Sequence, residues 1–390
     1  MDSGSLFFSF FLIFTGAAAL ATLALATRQP LIVAYIVLGG IFGPSGLGLV
    51  TDTSLLADIS HAGILFLLFL LGLDMQPSHL MHMLRKTATV GLLSSIVFAV
   101  IGFACAKAFG FTDTESLVIG GTMMFSSTII GIKLLPTTVL HHKHTGELLV
   151  SLLLLQDLLA IMMLVVLYNS ANLNDDGILP LISTLTKLPA LALCAWLMVR
   201  YILLPLMARY DRFHEYMFLL AIGWCLGLAE LAHSLGLSAE IGAFIAGISI
   251  ATSPIAQYIA MNLKPLRDFF LILFFFSVGA SFNLALLPEV ILPGLVLTVV
   301  CLALKPPVFW FFLRKVSEKR KTAWEVGVRL GQNSEFGLLI ASVAVAQGLI
   351  DTVASHTIQA VAILTLLFSS YLVVFNYESP IAVSDKLRRD

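Results

Sequence analysis

The sequence carries little charge for its length. Charged residues make up 12% of its 390 positions, whereas a soluble domain has about 25%. Hydrophobic residues make up 59%, and apolar windows long enough to cross a bilayer as a helix, about 20 residues, recur from end to end. A soluble fold could not bury all of them. The composition therefore predicts an all-α polytopic membrane protein.

Cysteine is scarce as well. The four cysteines, Cys105, Cys194, Cys225 and Cys301, all fall inside apolar runs and form no CxxC pair. This pattern argues against a disulfide or metal-binding framework and favours small buried residues. The N-terminus has only Asp2 and no basic residue before its apolar run. That favours a retained first helix over a cleaved signal peptide.

Hydrophobic runs divide the chain into thirteen predicted spans. Several are shorter than a full crossing or contain Gly or Pro, which indicates tilted, broken or partly buried helices. Residues 1–375 are thus predicted to form a membrane domain, and 376–390 a short cytoplasmic tail. The predicted spans are 5–26, 30–49, 59–74, 88–109, 115–136, 147–168, 179–206, 214–233, 238–252, 266–280, 286–312, 324–346 and 354–375.

Basic residues are distributed unevenly among the connections between spans. Sixteen of the 22 Lys and Arg residues fall on one side of the predicted membrane, which marks that side as cytoplasmic. The C-terminus is then predicted to be cytoplasmic and the N-terminus outside. The sixteen are Arg28, Arg85, Lys86, Lys143, Arg209, Arg212, Lys264, Arg267, Arg314, Lys315, Lys319, Arg320, Lys321, Lys386, Arg388 and Arg389.

Two halves of the chain repeat one another at an offset of 207 residues. Gly40 aligns with Gly247 and Gly72 with Gly279, so the offset carries span two to span nine. The offset thus corresponds to seven spans. Because seven is an odd number, the two copies run through the membrane in opposite directions. Inverted repeats are typical of secondary transporters, which bind substrate near the midplane at discontinuous helices.

Polar residues interrupt spans five and twelve at equivalent places in the two copies, because Ser127 aligns with Ser334. If both helices unwind there, four helix ends meet near the middle of the bilayer. Free carbonyls can then coordinate a dehydrated cation, and the positive helix ends require a balancing negative charge. The first break is predicted at Ser126, Ser127 and Thr128, and the second at Gln332, Asn333, Ser334 and Glu335.

Asp157 is the clearest ionisable residue inside a predicted span, with only Gln156 as a polar neighbour. A charge there costs roughly 2.5–3.5 kcal/mol on insertion scales, so it requires a partner or a function. A carboxylate in such a place can hold a proton or a metal cation but not both, which is the simplest chemical basis for exchange. The repeat has no acidic counterpart, since Leu364 occupies the equivalent position.

Lys305 is a second charge inside a span, and Phe98 occupies its equivalent position. It lies beside Pro306 and Pro307, which are expected to kink the helix and free backbone carbonyls. One interpretation is a purely structural ion pair between Lys305 and Asp157. The other is a counter-charge that pairs with Asp157 only while no cation is bound.

Other charged positions leave alternatives open. Glu335 could bond nearby helix ends or pair with Arg329. Glu230 and Glu240 flank a short outer loop and could line an access path or serve no transport role. A cytoplasmic cluster could sense pH or could be an ordinary solvated loop. It consists of His141, His142, Lys143 and His144.

The chain resembles the monovalent cation/proton antiporter 2 family, and within it the Kef-type potassium/proton antiporters. The QD pair Gln156–Asp157 is typical of the potassium-type branch, whereas electrogenic sodium/proton relatives tend to have two Asp there. GQNSEF departs from the more usual GQGGEF or GQGSEF at Asn333. The similar segments cover about residues 30–345 and are GGIFGPSGLGL, FLLFLLGLDM, the SST break, the QD pair, LGLSAEIGAFIAG, FFFSVGASFNL, Lys305 and GQNSEF.

This resemblance implies the antiporter fold of the NhaA and NapA type, with about thirteen transmembrane helices and two crossing broken helices. It implies a homodimer in the bacterial inner membrane. A dimerisation part at about 1–80 and 214–282 would support an ion-binding core at about 88–170 and 286–375, which moves as an elevator. Kef-type proteins usually continue into a nucleotide-binding regulatory domain. Because this chain stops soon after its last span, we expect a transport domain or a short member, with any regulatory domain or subunit outside it.

The sequence therefore predicts a transporter rather than an enzyme, and the resemblance implies exchange of one potassium ion for one proton without net charge movement. Sodium/proton exchange by the same fold is an alternative, and a gated cation channel is an alternative of another class. The transported cation, the proton and the lipid bilayer are the expected partners; no cofactor, resident metal or nucleic acid is predicted. The predicted site consists of Asp157, Gln156, Ser126, Ser127 and Thr128, with Lys305 as counter-charge.

Overall fold

The protein is helical throughout its described residues, apart from one isolated β-bridge between Ser379 and Arg388. Seven of the described helices are long and apolar enough to cross a membrane, and three shorter apolar helices accompany them. The predicted class of polytopic helical membrane protein is confirmed. The computed structural model describes residues 6–27, 29, 31–50, 53–74, 77–136, 144–170, 179–210, 212–253, 255–380, 382 and 387–388.

Each of the thirteen predicted spans corresponds to one helix or to one interrupted helix. Spans five and twelve are broken, and span seven contains a π-helical turn at Val199–Leu203. The helices are α1 (Leu6–Ala26), α2 (Leu31–Phe42), α3 (Thr53–Asp74), α4 (Pro77–Ala108), α5 (Asp113–Thr122), α6 (Thr128–Lys133), α7 (His144–Ser170), α8 (Leu179–Met198), α9 (Leu204–Arg209), α10 (His214–Ser234), α11 (Ala239–Ala251), α12 (Ile255–Ala280), α13 (Leu287–Lys315), α14 (Arg320–Arg329), α15 (Phe336–Ala346) and α16 (Thr352–Asn376).

Two helices begin well before their predicted spans. Helix α4 begins at Pro77, although its span is predicted from residue 88. Helix α12 begins at Ile255, although its span is predicted from residue 266. Both extensions carry polar and basic residues, which a hydropathy window leaves out even where they continue the helix. Such segments extend a membrane helix beyond its apolar part.

The described helices pack as two groups. In the first, which we call the scaffold group, α3 packs against α11 and α12, α12 against α2, α11 against α10, and α2 against α1. In the second, the crossing group, α4 packs against α5, α7 and α13, while α13 packs against α14 and α16. Helix α8 contacts both α11 and α7 and so lies between the groups.

Glycines allow close helix contacts at two equivalent places in the scaffold group. Where α3 meets α11, a Cβ atom on Gly247 would lie 2.9 Å from Gly72 Cα and 2.1 Å from a carbonyl oxygen of α3. Where α2 meets α12, a Cβ atom on Gly279 would lie 3.0 Å from Gly40 N and 1.9 Å from a carbonyl oxygen of α2. The 207-residue offset converts one pair into the other. The inverted repeat therefore appears as two equivalent glycine contacts.

Replacement of Gly279 by alanine should weaken the scaffold group. The added methyl group meets backbone atoms, which cannot rotate away, so α2 and α12 would have to separate. We expect Gly279→Ala to lower the free energy of unfolding by about 1–3 kcal/mol, the usual cost of overpacking. Thermal unfolding of the detergent-solubilised protein would measure the loss.

Gly223 on α10 provides the matched control. A Cβ atom at this helical position meets no atom within 4 Å. Gly223→Ala should leave the melting temperature unchanged or raise it slightly, because alanine has the higher helix propensity. Equal melting temperatures for the two variants would show that the Gly279 contact does not limit stability.

Candidate functional site

The two broken helices cross one another through their unwound segments. The first unwinds at residues 125–127, between α5 and α6, and the second at residues 331–334, between α14 and α15. Ser126 Oγ donates to the Leu330 carbonyl oxygen at 2.8 Å. Gln332 Nε2 donates to the Ser127 carbonyl oxygen at 3.4 Å. Each break thus satisfies a backbone carbonyl of the other.

Lys305 is buried where the two breaks meet. Its ammonium nitrogen lies 2.8 Å from the Phe125 carbonyl oxygen, 2.8 Å from the Gln332 carbonyl oxygen and 3.5 Å from Ser126 Oγ. The interpretation of a direct ion pair with Asp157 is therefore wrong for this conformation, since the ammonium donates to backbone oxygens instead. Helix α13 also continues without interruption through both prolines beside Lys305.

The two carbonyls that Lys305 binds are equivalent in the repeat. Phe125 lies 207 residues before Gln332, and each belongs to the unwound segment of its own copy. Both follow the carboxyl end of a half-helix, where the helix dipole leaves partial negative charge. One positive charge thus stabilises both negative ends at once. The ring of Phe98, the repeat equivalent of Lys305, lies 5.6 Å from the ammonium, within range of a cation–π contact.

Side chains from neighbouring helices bond one backbone amide in each break. The Ser126 amide donates to Gln156 Oε1 at 3.0 Å, and the Asn333 amide donates to Thr365 Oγ1 at 3.0 Å. Ser126 and Asn333 are again separated by 207 residues. Gln156 was predicted as part of a cation shell. In this conformation its oxygen holds the first break in place, and its place in a cation shell stays a prediction.

Hydrogen bonds between residues two or three positions apart lie at the beginning of the second half-helix of each break. Ser127 Oγ accepts from the Ile130 amide at 3.2 Å, and Ser334 Oγ accepts from the Phe336 amide at 3.1 Å. These hydroxyls occupy equivalent positions at the starts of α6 and α15. Ser127 and Ser334 therefore each accept an amide hydrogen bond where a second half-helix begins.

Asp157 is fully buried on α7, beside the start of α6. Its Oδ2 atom accepts a hydrogen bond from Thr128 Oγ1 at 2.9 Å, whereas Oδ1 has no hydrogen-bond partner among the described residues. The positive end of α6 and the Thr128 hydroxyl both favour negative charge here. A proton or a cation on Oδ1 would complete the coordination of this carboxylate.

Glu335 brings a second carboxyl group to the crossing. It is 4% exposed, and a negative charge on it would repel the Asp157 carboxylate. A negative neighbour favours any positive occupant of Asp157, whether proton or cation. Arg329 does not supply the predicted pairing, because its guanidinium bonds Glu325 at 2.9 Å and the Glu378 carbonyl oxygen at 2.9 Å.

The peripheral acidic residues separate into two environments. Glu230 is exposed, and its carboxylate lies 4.0 Å from His233 Nδ1. Glu240 is 1% exposed and accepts from Tyr168 Oη at 3.3 Å through each carboxylate oxygen. Since Tyr168 is on α7 and Glu240 on α11, this contact joins the helix of Asp157 to the scaffold group.

Of the predicted histidine cluster, His144 is the residue that the structure describes. His141, His142 and Lys143 lie outside the described residues. His144 begins α7, and its Nε2 atom lies 2.9 Å from a Glu318 carboxylate oxygen. This contact ties the start of α7 to the connection between α13 and α14.

Several residues of the crossing carry no recognisable signal in the sequence. Thr365, Ser369 and Tyr168 are ordinary polar residues within apolar helices, yet each bonds a predicted site residue or a buried carboxylate. Ser369 Oγ, for example, donates to Gln332 Oε1 at 2.9 Å. Position in the repeat is a usable signal only for Thr365, because Asp157 and Thr365 occupy nearly equivalent places.

Inverted repeats, two crossing broken helices and a buried carboxylate together form the architecture of secondary ion transporters. The sequence matches the family described as "Sodium/hydrogen exchanger, transmembrane" over residues 10–375. The chain belongs to this family.

Three curated relatives show how the similarity is distributed. The chain is 28% identical over 350 residues to the "Iron transporter MagA" of Paramagnetospirillum magneticum, covering 88% of this chain and 79% of the relative. It is 29% identical over 328 residues to "K(+) efflux antiporter 4" of Arabidopsis thaliana, covering 80% and 54%. It is 31% identical over 359 residues to the "Glutathione-regulated potassium-efflux system protein KefC" of Salmonella heidelberg, covering 90% and 57%. The chain thus spans about half the length of these two potassium-efflux relatives.

A solved structure shares the fold. The sodium proton antiporter MjNhaP1 from Methanocaldococcus jannaschii, solved at pH 8, aligns with a TM-score of 0.72 and 19% identity, covering 93% of this chain and 94% of that chain. At this level of identity, the likeness establishes the antiporter fold. The prediction of that fold is confirmed.

Replacement of Thr365 by valine tests the support of the second break. Valine keeps the shape but removes the acceptor of the buried Asn333 amide. An unsatisfied buried donor costs about 1–3 kcal/mol, so the melting temperature should fall. The control is Thr298→Val, because the Thr298 hydroxyl is equally buried but donates only to Gly294 of its own helix, at 2.7 Å. Comparable losses in both variants would contradict a special role for Thr365.

Proposed function

We propose that this chain exchanges a monovalent cation, potassium, for protons across a membrane, with Asp157 as the shared site. The observation that carries the proposal is the coordination of this carboxylate. One oxygen is held by Thr128, and the other has no hydrogen-bond partner among the described residues. A proton and a cation would compete for that oxygen, and this competition couples their movements.

The electrostatics of the crossing support this role. Lys305 stabilises the two negative helix ends without neutralising Asp157 directly. The carboxylate therefore keeps its attraction for a positive occupant, and Glu335 strengthens that attraction. In this proposal Lys305 is a counter-charge for the broken helices, and Gln156, Ser126 and Ser127 position them. Thr128 belongs to the ion site itself.

Alternating access would arise from movement of the crossing group against the scaffold group. The Tyr168–Glu240 contact joins the two groups at one end of α7, eleven residues from Asp157. It would form in one orientation and break in the other. The scaffold group would provide the dimer interface of a homodimer, and its residues, about 1–80 and 214–282, are the predicted dimerisation part.

Potassium is favoured over sodium by two observations. The pair Gln156–Asp157 is typical of the potassium-type branch that the sequence resembles. Relatives named as potassium efflux antiporters are 29% and 31% identical to this chain, over 80% and 90% of its length. Sodium is the second candidate because the structure of a sodium proton antiporter shares the fold.

The basic residues favour a single orientation. With the connection between α13 and α14 on the cytoplasmic side, the C-terminus would be cytoplasmic and the N-terminus outside. In a bacterial cell the protein would lie in the inner membrane. Potassium would then leave the cell as protons enter.

Asp157→Asn should abolish exchange. An asparagine cannot release a proton or carry the negative charge that binds a cation. In proteoliposomes with an imposed pH gradient, added potassium should collapse the gradient through the native protein. The variant should behave like empty liposomes. Exchange at the native rate by Asp157→Asn would remove this residue from the mechanism.

Glu115→Gln is the control for loss of a buried carboxylate. Glu115 caps the start of α5 through the Thr112 amide at 2.9 Å and accepts from the Asp351 amide at 3.2 Å. This variant should lower the melting temperature while exchange continues. If both carboxylate variants lose exchange together, instability rather than site chemistry explains the loss.

A cation series separates the candidate substrates. We expect potassium and rubidium to collapse the pH gradient at concentrations roughly ten-fold below those needed for sodium, a difference of about 1.4 kcal/mol in binding. The same assay with ferrous iron tests the activity named for the MagA relative. Preference for sodium would assign the alternative substrate. Cation flux without proton movement, at rates far above transporter turnover, would indicate a channel.

A further inference from the structure

An open cavity of about 750 Å³ lies at the end of the crossing group where α13 ends and α14 begins. It is separate from the Asp157 site and has no part in the exchange proposed above. Its walls come from three segments that lie close together: α13, α14 and the residue that follows α16. The lining residues are Pro307, Trp310, Arg320, Lys321, Trp324, Glu325 and Tyr377.

The cavity has an excess of positive charge. Arg320 and Lys321 are exposed on it, and neither forms a salt bridge or hydrogen bond with any part of the chain that the structure describes. Its acidic residue, Glu325, is already paired with Arg329 at 2.9 Å. The charge that the cavity offers to a ligand is therefore that of two basic side chains, which favours an anion.

Aromatic side chains form the remaining wall. Trp310 and Tyr377 are half-buried, and Trp324 is 45% exposed. Trp310 lies near the end of a predicted membrane-crossing helix that extends to Lys315. Tryptophan and tyrosine beside Lys and Arg at the end of an apolar helix are typical of the boundary between bilayer and water.

We propose that this cavity binds the headgroup of an anionic phospholipid. Arg320 and Lys321 would hold the phosphate, since guanidinium and ammonium groups both bind phosphate well. The aromatic wall would contact the glycerol and upper acyl region. The outward side chains of Phe311 and Val316, 49% and 42% exposed, continue the apolar surface next to the cavity.

A lipid in this position would bridge the segments that support the broken helices. Pro307 lies two residues after Lys305 on α13, and a Cβ atom on Gly327 of α14 would lie 2.6 Å from the Pro306 carbonyl oxygen. The Arg329 guanidinium lies over the ring of Tyr377, 5.5 Å from the ring centre. Binding should therefore stabilise α13, α14 and the end of α16 as a unit.

The first test measures thermal stability in a neutral detergent. Phosphatidylglycerol should raise the melting temperature at lower concentrations than phosphatidylcholine with the same acyl chains. The double variant Arg320→Gln/Lys321→Gln should need roughly ten-fold more phosphatidylglycerol for the same effect, because each basic residue near a surface contributes measurably to anionic lipid binding. The matched control, Arg209→Gln/Lys264→Gln, removes two exposed basic residues of other helices and should respond like the native protein.

The second test locates the lipid. Phosphatidylglycerol brominated near the top of its acyl chains should quench tryptophan fluorescence more than brominated phosphatidylcholine does. The double variant Trp310→Phe/Trp324→Phe, which removes both tryptophans of the cavity, should remove most of that difference. Trp196→Phe should leave it, because Trp196 is also exposed, at 46%, but lies on α8.

Three results would overturn the proposal. One is an equal response to the anionic and neutral lipids. Another is an unchanged response in the Arg320/Lys321 double variant. The third is saturation of the site by inorganic phosphate or a soluble nucleotide in place of lipid, which would assign a soluble phosphate ligand instead. None of these measurements requires transport, so their failure is distinct from failure of the proposed exchange.

Discussion

The crossing of the two broken helices depends on the hydrogen bonds that the Lys305 ammonium donates to their backbone carbonyls. Two helices that unwind inside a membrane leave carbonyl groups without partners, and each such group is costly away from water. One lysine donates to a carbonyl of each break, at 2.8 Å in both cases. Other polar groups of the breaks, among them the Ser126 and Asn333 amides, bond across the crossing or to neighbouring helices. Because the lysine is engaged with backbone, Asp157 is left to bind a positive partner of its own.

The same inverted symmetry organises both halves of the molecule by different means. In the scaffold group it produces two glycine contacts, Gly72 with Gly247 and Gly40 with Gly279, where a methyl group added to Gly72, Gly247 or Gly279 would clash with backbone atoms. In the crossing group the symmetry produces two equivalent carbonyls, those of Phe125 and Gln332, which both bind the Lys305 ammonium. The glycine contacts fix helices rigidly, whereas the breaks expose polar backbone. A rigid part and a polar, partly unwound part are what transport by relative movement requires.

Periodicity and repeats predicted the helices and both breaks, because each leaves a local pattern in the sequence. The extended starts of α4 and α12 left no apolar pattern and were missed. The partner of Lys305 was also missed, since complementary charge suggested Asp157 and the real acceptors are backbone oxygens that no sequence pattern marks. For Gln156 the sequence predicts a place in the cation shell, but it does not reveal that the amide oxygen accepts a hydrogen bond from the Ser126 amide. Contacts such as Tyr168 with Glu240 depend on how distant helices meet.

The residues proposed as the exchange site and its counter-charge are those that depart from the repeat. Leu364 occupies the position equivalent to Asp157 in the other copy of the repeat, and Phe98 occupies the position equivalent to Lys305. A fully symmetric site would place two carboxylates and two lysines at the crossing, and the extra buried charges would cost more than their attraction returns. With a single lysine, Phe98 can present its ring to the ammonium at 5.6 Å, so the vacated position still contributes to the site. Asymmetry thus leaves one buried carboxylate, the proposed exchange site, between two halves that are otherwise equivalent.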